Sequence, residues 1–169
     1  YLYFESKETI LAHLLVAALG ELVLQLGRAH ASHVDLPAAE RLRRLCWAYL
    51  HFFEREPQYL QLLMAADRGR FRESGTAAVY QDVLQASLEG LNLAVDVIEQ
   101  GVEDGTVACT DPRQAAAVMW ATLNGILELM RHPLRREMLG VDREAFHDFT
   151  IEMLIHSVDG SSDGQEVHR

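Results

Sequence analysis

"EQGVEDGTVACTDPRQAAAVMWATLNGILELM", residues 99–130, decides the fold. A helix carrying Tyr80, Val83, Leu84, Ser87, Leu88, Leu91, Val95, Ile98 and Val102 on one stripe runs into this segment and stops at "GVEDGTV". Asp111-Pro112-Arg113-Gln114 then restarts a helix. Asp111 is an N-cap whose carboxylate can accept from early backbone N–H groups, Pro112 suits the first helical position, and Gln114 is placed to return a capping-box bond. The new helix continues to about residue 130, so two long helices joined by a short connection must lie antiparallel.

On either side of this segment, apolar residues recur at three- and four-residue spacing almost throughout, and no strand-like alternation bounded by turn signals appears. The expected fold class is all-α with six helices. The first runs from about residue 7 to near residue 31, with Ile10, Leu14, Ala17, Ala18, Leu22 and Leu26 along one side. The second covers residues 37–55; Leu42, Leu45, Cys46, Tyr49, Phe52 and Phe53 form a face so wide, with Trp47 and Leu50 extending it, that burial between other helices is expected. Pro57 opens a short third helix, and the basic stretch "RGRFRESG" follows as a connection. The fourth and fifth are the pair described above. "RHPLRREMLGVD" reads as a break, and the sixth helix covers residues 143–157. "DGSSDGQEVHR", residues 159–169, is polar and rich in Gly and Ser, the composition of a disordered tail.

At 169 residues and 49% hydrophobic, the chain can bury the core of one domain. No apolar run reaches the roughly 18 residues of a membrane span and no leader pattern is present, so a cytoplasmic location without membrane contact is expected. Cys46 and Cys109, the only cysteines, do not suggest a disulfide framework. A net charge of −10 argues against these residues forming a nucleic-acid grip by themselves, since phosphate binding needs a concentrated basic surface. Lys7 is the single lysine among otherwise arginine cations.

The first residues, "YLYFESKETILAHLL", crowd Tyr1, Tyr3 and Phe4 ahead of Ser6, a good N-cap. The aromatics are expected to close a domain whose earlier part is missing. Together with residues 99–130, "YLYFESKETIL" resembles the tetracycline-repressor (TetR) family of bacterial transcription regulators, at the junction where its helix-turn-helix domain enters the regulatory domain. The resemblance covers nearly the whole chain in helix order but lacks the first three helices of the family. It implies that residues 1–6 end a DNA-binding domain, that residues 7–158 form a ligand-binding and dimerisation domain, and that the protein is a homodimeric repressor. Operator DNA would be held through the missing part, with Tyr1, Tyr3 and Lys7 touching the DNA backbone; Lys7 is helped by the helix N-terminus. Hinge packing is the other reading of Tyr1 and Tyr3, and the accepted one for Phe4.

The family packs the helices that carry Cys46, Tyr49, Phe53, Met64, Trp120 and Met130 around a cavity. Plain core is the competing reading for such a set. Asn124 follows Trp120 by one turn on an otherwise apolar helix, where a buried amide needs a partner, either a ligand or another helix. With Leu84, Leu88 and Leu91 completing the lining, the expected effector is small, apolar and ring-containing, stacked on aromatics and oriented by Asn124. Ser87 and Glu128 are weaker candidates. Neither a cofactor nor a metal is implied: His30 and His33 have no third ligand nearby, Cys46 with His51 lies on an apolar face where a thiol is inert, and the Arg68, Arg70, Arg72 run reads as solvated. An enzyme is disfavoured because no acid, base and nucleophile converge. A helical small-molecule-binding module without DNA function is the alternative.

Overall fold

The computed structural model describes residues 7–67 and 77–160, with the side chains of residues 7–8, 66–67 and 77–79 outside that description. Within it the chain forms α1 (Lys7–Ala31), α2 (Ala38–Arg55), α3 (Pro57–Asp67), α4 (Ala77–Glu103), α5 (Pro112–Arg131), α6 (Pro133–Leu139) and α7 (Arg143–His156). Seven helices are present among the described residues where the periodicity predicts six. The additional one, α6, lies in the stretch that reads as a break. Pro133 stands at its start, where proline begins a helix as readily as it ends one, and Gly140 closes it in the left-handed region at φ 60°. None of its residues is buried, so it carries no apolar stripe for periodicity to detect.

The restart at Asp111 has a clear local cause. Its carboxylate accepts from the Gln114 backbone N–H at 2.9 Å and from the Gln114 side-chain amide at 2.7 Å. The Gln114 side chain thus closes onto the cap's carboxylate, whereas a capping box would return it to the cap's backbone N–H. Those two hydrogen bonds, the backbone one foremost, hold the Asp111 carboxyl below its ordinary pKa. Asp142 caps α7 in the same manner, accepting from the Ala145 N–H at 3.0 Å.

The second helix takes the central position its breadth demands. It packs on α1, α3, α4, α5 and α7. Leu42, Leu50, Phe52 and Phe53 are almost wholly buried, and the Phe52 and Phe53 rings meet edge to face at 5.1 Å. The first helix is rotated from its expected face: Ala12, Leu15, Ala18, Leu19, Leu22 and Leu26 are buried, while Ile10, Leu14 and Ala17 are not. Its front half is apolar nearly all round, so the pattern admits more than one register, and close packing against α4 selects the face bearing Ala12. By length and composition, residues 9–31 would suffice to cross a membrane, yet one side of this helix packs against α2, α3 and α4. On α4, Val83, Val95 and Ile98 are buried as the stripe predicts, whereas Leu84 and Val102 are exposed. Asp159 and Gly160, counted with the tail above, are tied to the α4–α5 connection by a bridge to Val107 and a Gly160 N–H···O=C Thr106 bond of 3.3 Å.

Polar links join α2 to α7, Arg143 to Glu54 at 3.9 Å among them. Arg43 grips Glu152 with two bonds of 2.7 and 3.0 Å and also reaches Glu40. Both groups are partly exposed, which limits the worth of the pair to about 0–1 kcal/mol. Inside, His147 is 1% exposed, with Nδ1 3.5 Å from Glu54 Oε1, against Trp47 and within a field that includes Arg143, His51 and Asp148. Desolvation holds the His147 pKa below its ordinary 6.5, outweighing the attraction of Glu54. Because the folded value is depressed, stability is fully present above the unfolded value and declines as pH falls through 6.5 toward the folded value. The melting temperature should therefore drop between about pH 7 and about pH 5.5, and the drop should be shallower in His147→Gln, as thermal melts across that range would show.

Candidate ligand-binding site

An apolar cavity of about 70 Å³ lies where α1, α2, α4 and α5 converge, with Leu63 of α3 at its edge. Leu19, Leu22, Val23 and Leu26 line it from α1; Leu42, Leu45, Cys46 and Tyr49 from α2; Ala116, Met119, Trp120 and Leu123 from α5. The wall from α4 is built of Ala86, Ser87, Gly90, Leu91 and Ala94. Ala86, Gly90 and Ala94 recur every four residues, so a strip of minimal side chains faces the cavity. A Cβ built at Gly90 would lie 3.7 Å from Leu26 and 3.8 Å from Val23, ordinary contact distances, so α4 and α1 are already close there.

Polar groups on this lining are few and engaged. Ser87 donates its hydroxyl to the Val83 carbonyl at 2.8 Å, one turn back. Tyr49 donates its hydroxyl to Asn124 Oδ1 at 2.7 Å in a buried bond between α2 and α5. Burial raises the Cys46 thiol pKa to about 12, so its thiolate is scarce at neutral pH and nucleophilic chemistry is disfavoured.

The candidate residues named from the sequence separate into groups. Cys46, Tyr49, Leu91 and Trp120 line the cavity. Phe53 turns into the core against Tyr49 and Phe52, Met130 is buried, and Met64 packs against the core rim. Leu84 is exposed, Leu88 is half-buried off the lining, and Asn124 stands behind Tyr49 as its acceptor. Glu128 faces Arg131 at 3.6 Å. His33 bonds the Ala29 carbonyl through Nδ1 at 2.9 Å and meets Arg44 Nη1 through Nε2 at 2.7 Å. Lys7 is the first residue of α1. Tyr1, Tyr3, Phe4 and the Arg68, Arg70, Arg72 run lie outside the described residues. Sequence reading missed Ala86, Gly90 and Ala94, whose four-residue spacing was the signal that could have found them.

No family model matches the sequence, and no curated protein matches it. Solved structures do. A TetR-family bacterial regulatory protein from Rhodococcus RHA1 superposes with a TM-score of 0.75 at 14% identity, over 92% of this chain and 76% of that one. PfmR, a TetR-family transcriptional regulator from Thermus thermophilus, gives 0.66 at 22% identity, over 88% and 77%. The transcriptional regulator FadR from Bacillus subtilis, solved with stearoyl-CoA, gives 0.67 at 17% identity, over 92% and 78%. These neighbours are regulators rather than enzymes, and at such identities the likeness is one of architecture. The seven helices of the described residues thus adopt a TetR-like all-α fold.

Proposed function

We propose that the chain is the ligand-binding and dimerisation part of a cytoplasmic, ligand-responsive TetR-like repressor, without enzymatic activity. The observation that carries this reading is the apolar cavity whose walls include both α1 and α2. Its volume of about 70 Å³ is under half the ~150 Å³ of an engineered protein cavity that binds benzene. A ring-containing apolar effector must therefore part α1 from α4 to enter. Movement of α1 would carry the DNA-binding segments that precede it, with Tyr1, Tyr3 and Lys7 at the DNA backbone, and change the spacing of two heads on two half-sites. Ligand release of operator DNA follows only because the widened state binds effector better. FadR, solved with stearoyl-CoA, supports a ligand-responsive regulator as the general class.

The decisive experiment joins native mass spectrometry of the purified chain with a cavity-filling variant. A co-purified apolar molecule should be seen bound to the wild type. In Ala94→Leu it should be lost, and in the full regulator effector-induced operator release should weaken by at least about tenfold, or ~1.4 kcal/mol. Unchanged ligand retention and operator release would remove the cavity from the mechanism.

Dimerisation is assigned to α5 and α7. Phe149 and Met153, one turn apart on α7, are 63% and 60% exposed, and Val118 on α5 is 59% exposed. Apolar side chains gathered on neighbouring helices are suited to a two-fold interface. Sedimentation should show a dimer at micromolar concentration, and Phe149→Arg should convert it to a folded monomer; a wild-type monomer would contradict both the dimer and the TetR-like reading, and a Phe149→Arg dimer would place the interface elsewhere.

A further inference from the structure

The apolar cavity is walled unevenly. Its lining residues from α1 and α2 are buried, Val23 excepted. Those from α4, Ala86 to Ala94, are all half-buried, and Trp120 of α5 lines the interior while being 39% exposed. Among the described lining residues no other is exposed. The thin side of the cavity is therefore the seam between α4 and α5, and the Trp120 indole extends through that seam from the lining to water.

The surroundings of the indole are apolar for a reason that core packing does not supply. Arg113 Nη1 donates to Asn92 Oδ1 at 3.4 Å, which sets the level of α5 against α4. Trp120 follows Arg113 by seven residues, two turns, and so shares the face of α5 that looks toward α4. Because α4 runs the opposite way, that level falls near residue 85, between Leu84 and Leu88. Leu84, Leu88 and Leu91 share one face of α4 and pass from 41% exposed, through half-buried, to lining the cavity, an apolar path from water to the interior. Val118, assigned to the dimer face, lies about 160° round α5 from Trp120, so dimerisation leaves this mouth open to solvent. We propose that Trp120 is the gate of the cavity. With the indole in place the mouth is shut to ring-sized molecules, and its rotation outward over Leu84 and Leu88 admits them, as a lid does. Trp120 then sets how fast, and up to what breadth, an apolar effector passes from water, while the parting of α1 from α4 makes room for it inside. The gate rests on the reading of this cavity as the effector site.

Cys46 is a built-in reporter, since it is buried and lines the cavity from α2. Benzyl methanethiosulfonate is a neutral, ring-bearing probe: the Cys46 thiolate attacks its sulfenyl sulfur, methanesulfinate leaves, and a mixed disulfide remains that mass spectrometry counts. The chain carries Cys109→Ser so that one thiol reports, and all variants are labelled at one pH. Trp120→Ala should be labelled at least about tenfold faster than the parent, and Trp120→Tyr, which keeps a large ring, at close to the parent rate. Met119→Ala is the control for a loosened fold, because Met119 is the neighbouring lining residue on α5 but is buried. It enlarges the cavity without touching the mouth and should be labelled at close to the parent rate. Equal rates for Trp120→Ala and the parent overturn the gate, as does an acceleration in Met119→Ala as large as that in Trp120→Ala. The two readings fail separately: a cavity that holds no effector leaves the labelling contrast intact, whereas a gate placed elsewhere removes the contrast and leaves effector binding as it was.

Discussion

Replacing Gly101 by alanine is expected to destabilise the bundle by about 1–3 kcal/mol, the range for forcing extra atoms into a filled core. A Cβ at this position would stand 2.5 Å from Val107 Cγ2 and 2.7 Å from the Ala38 Cβ. Val107 is buried, and the Ala38 Cβ can retreat only if the backbone of α2 moves. The Gly101 carbonyl also accepts the Thr106 and Val107 N–H groups at 2.8 and 2.9 Å, so the end of α4 cannot slide away without breaking the turn that follows. Gly20 and Gly27 on α1 give the contrast: a Cβ at either meets nothing within 4 Å. Alanine there should stabilise by up to about 1 kcal/mol through helix propensity alone. Denaturant melts of the three variants separate the cases. Adding Val107→Ala to Gly101→Ala should recover part of the loss, and a Gly101→Ala protein as stable as the wild type would show that α2 and α4 are not held this closely.

What could be read from the sequence follows from which physical signals are local. The restart at Asp111 was legible because cap, proline and amide lie within four consecutive residues, and the central place of α2 because its apolar face is broad, with only a narrow side bearing Arg44, His51 and Arg55 left to solvent. The extra helix α6 was not, since a short helix with no buried residue has no periodicity to betray it. The cavity was half legible. Large side chains such as Phe53 and Leu84 drew attention, but bulk marks core or surface as readily as a lining. The α4 wall is made of Ala86, Gly90 and Ala94, where absence of bulk leaves the space. Arg41 gave no warning either: a basic residue on an amphipathic helix reads as solvated until the neighbouring elements are seen to bury it.

Asn124 was legible as a buried amide needing a partner, but its partner is a matter of tertiary geometry. With Tyr49 donating to Oδ1 at 2.7 Å, Asn124→Leu should remove this buried bond between α2 and α5 and cost about 1–3 kcal/mol. For a domain of this size that is a fall of roughly 2–4 °C in melting temperature per kcal/mol, seen without any ligand. Tyr49→Phe strands the amide in turn and should cost a similar amount. The double variant removes the same single bond and should be less destabilised than the two single losses added together. Tyr49 also lines the cavity, so this bond is the polar feature nearest an incoming effector. An effector carrying a hydrogen-bond acceptor would compete with Asn124 for the hydroxyl. Its affinity should then be higher in Asn124→Leu, where Asn124 no longer competes, and lower in Tyr49→Phe. Asn124→Leu melting like the wild type would mean that the bond contributes nothing to the fold. The reverse pattern, with affinity lower in Asn124→Leu and higher in Tyr49→Phe, would instead give Asn124 a direct hold on the ligand.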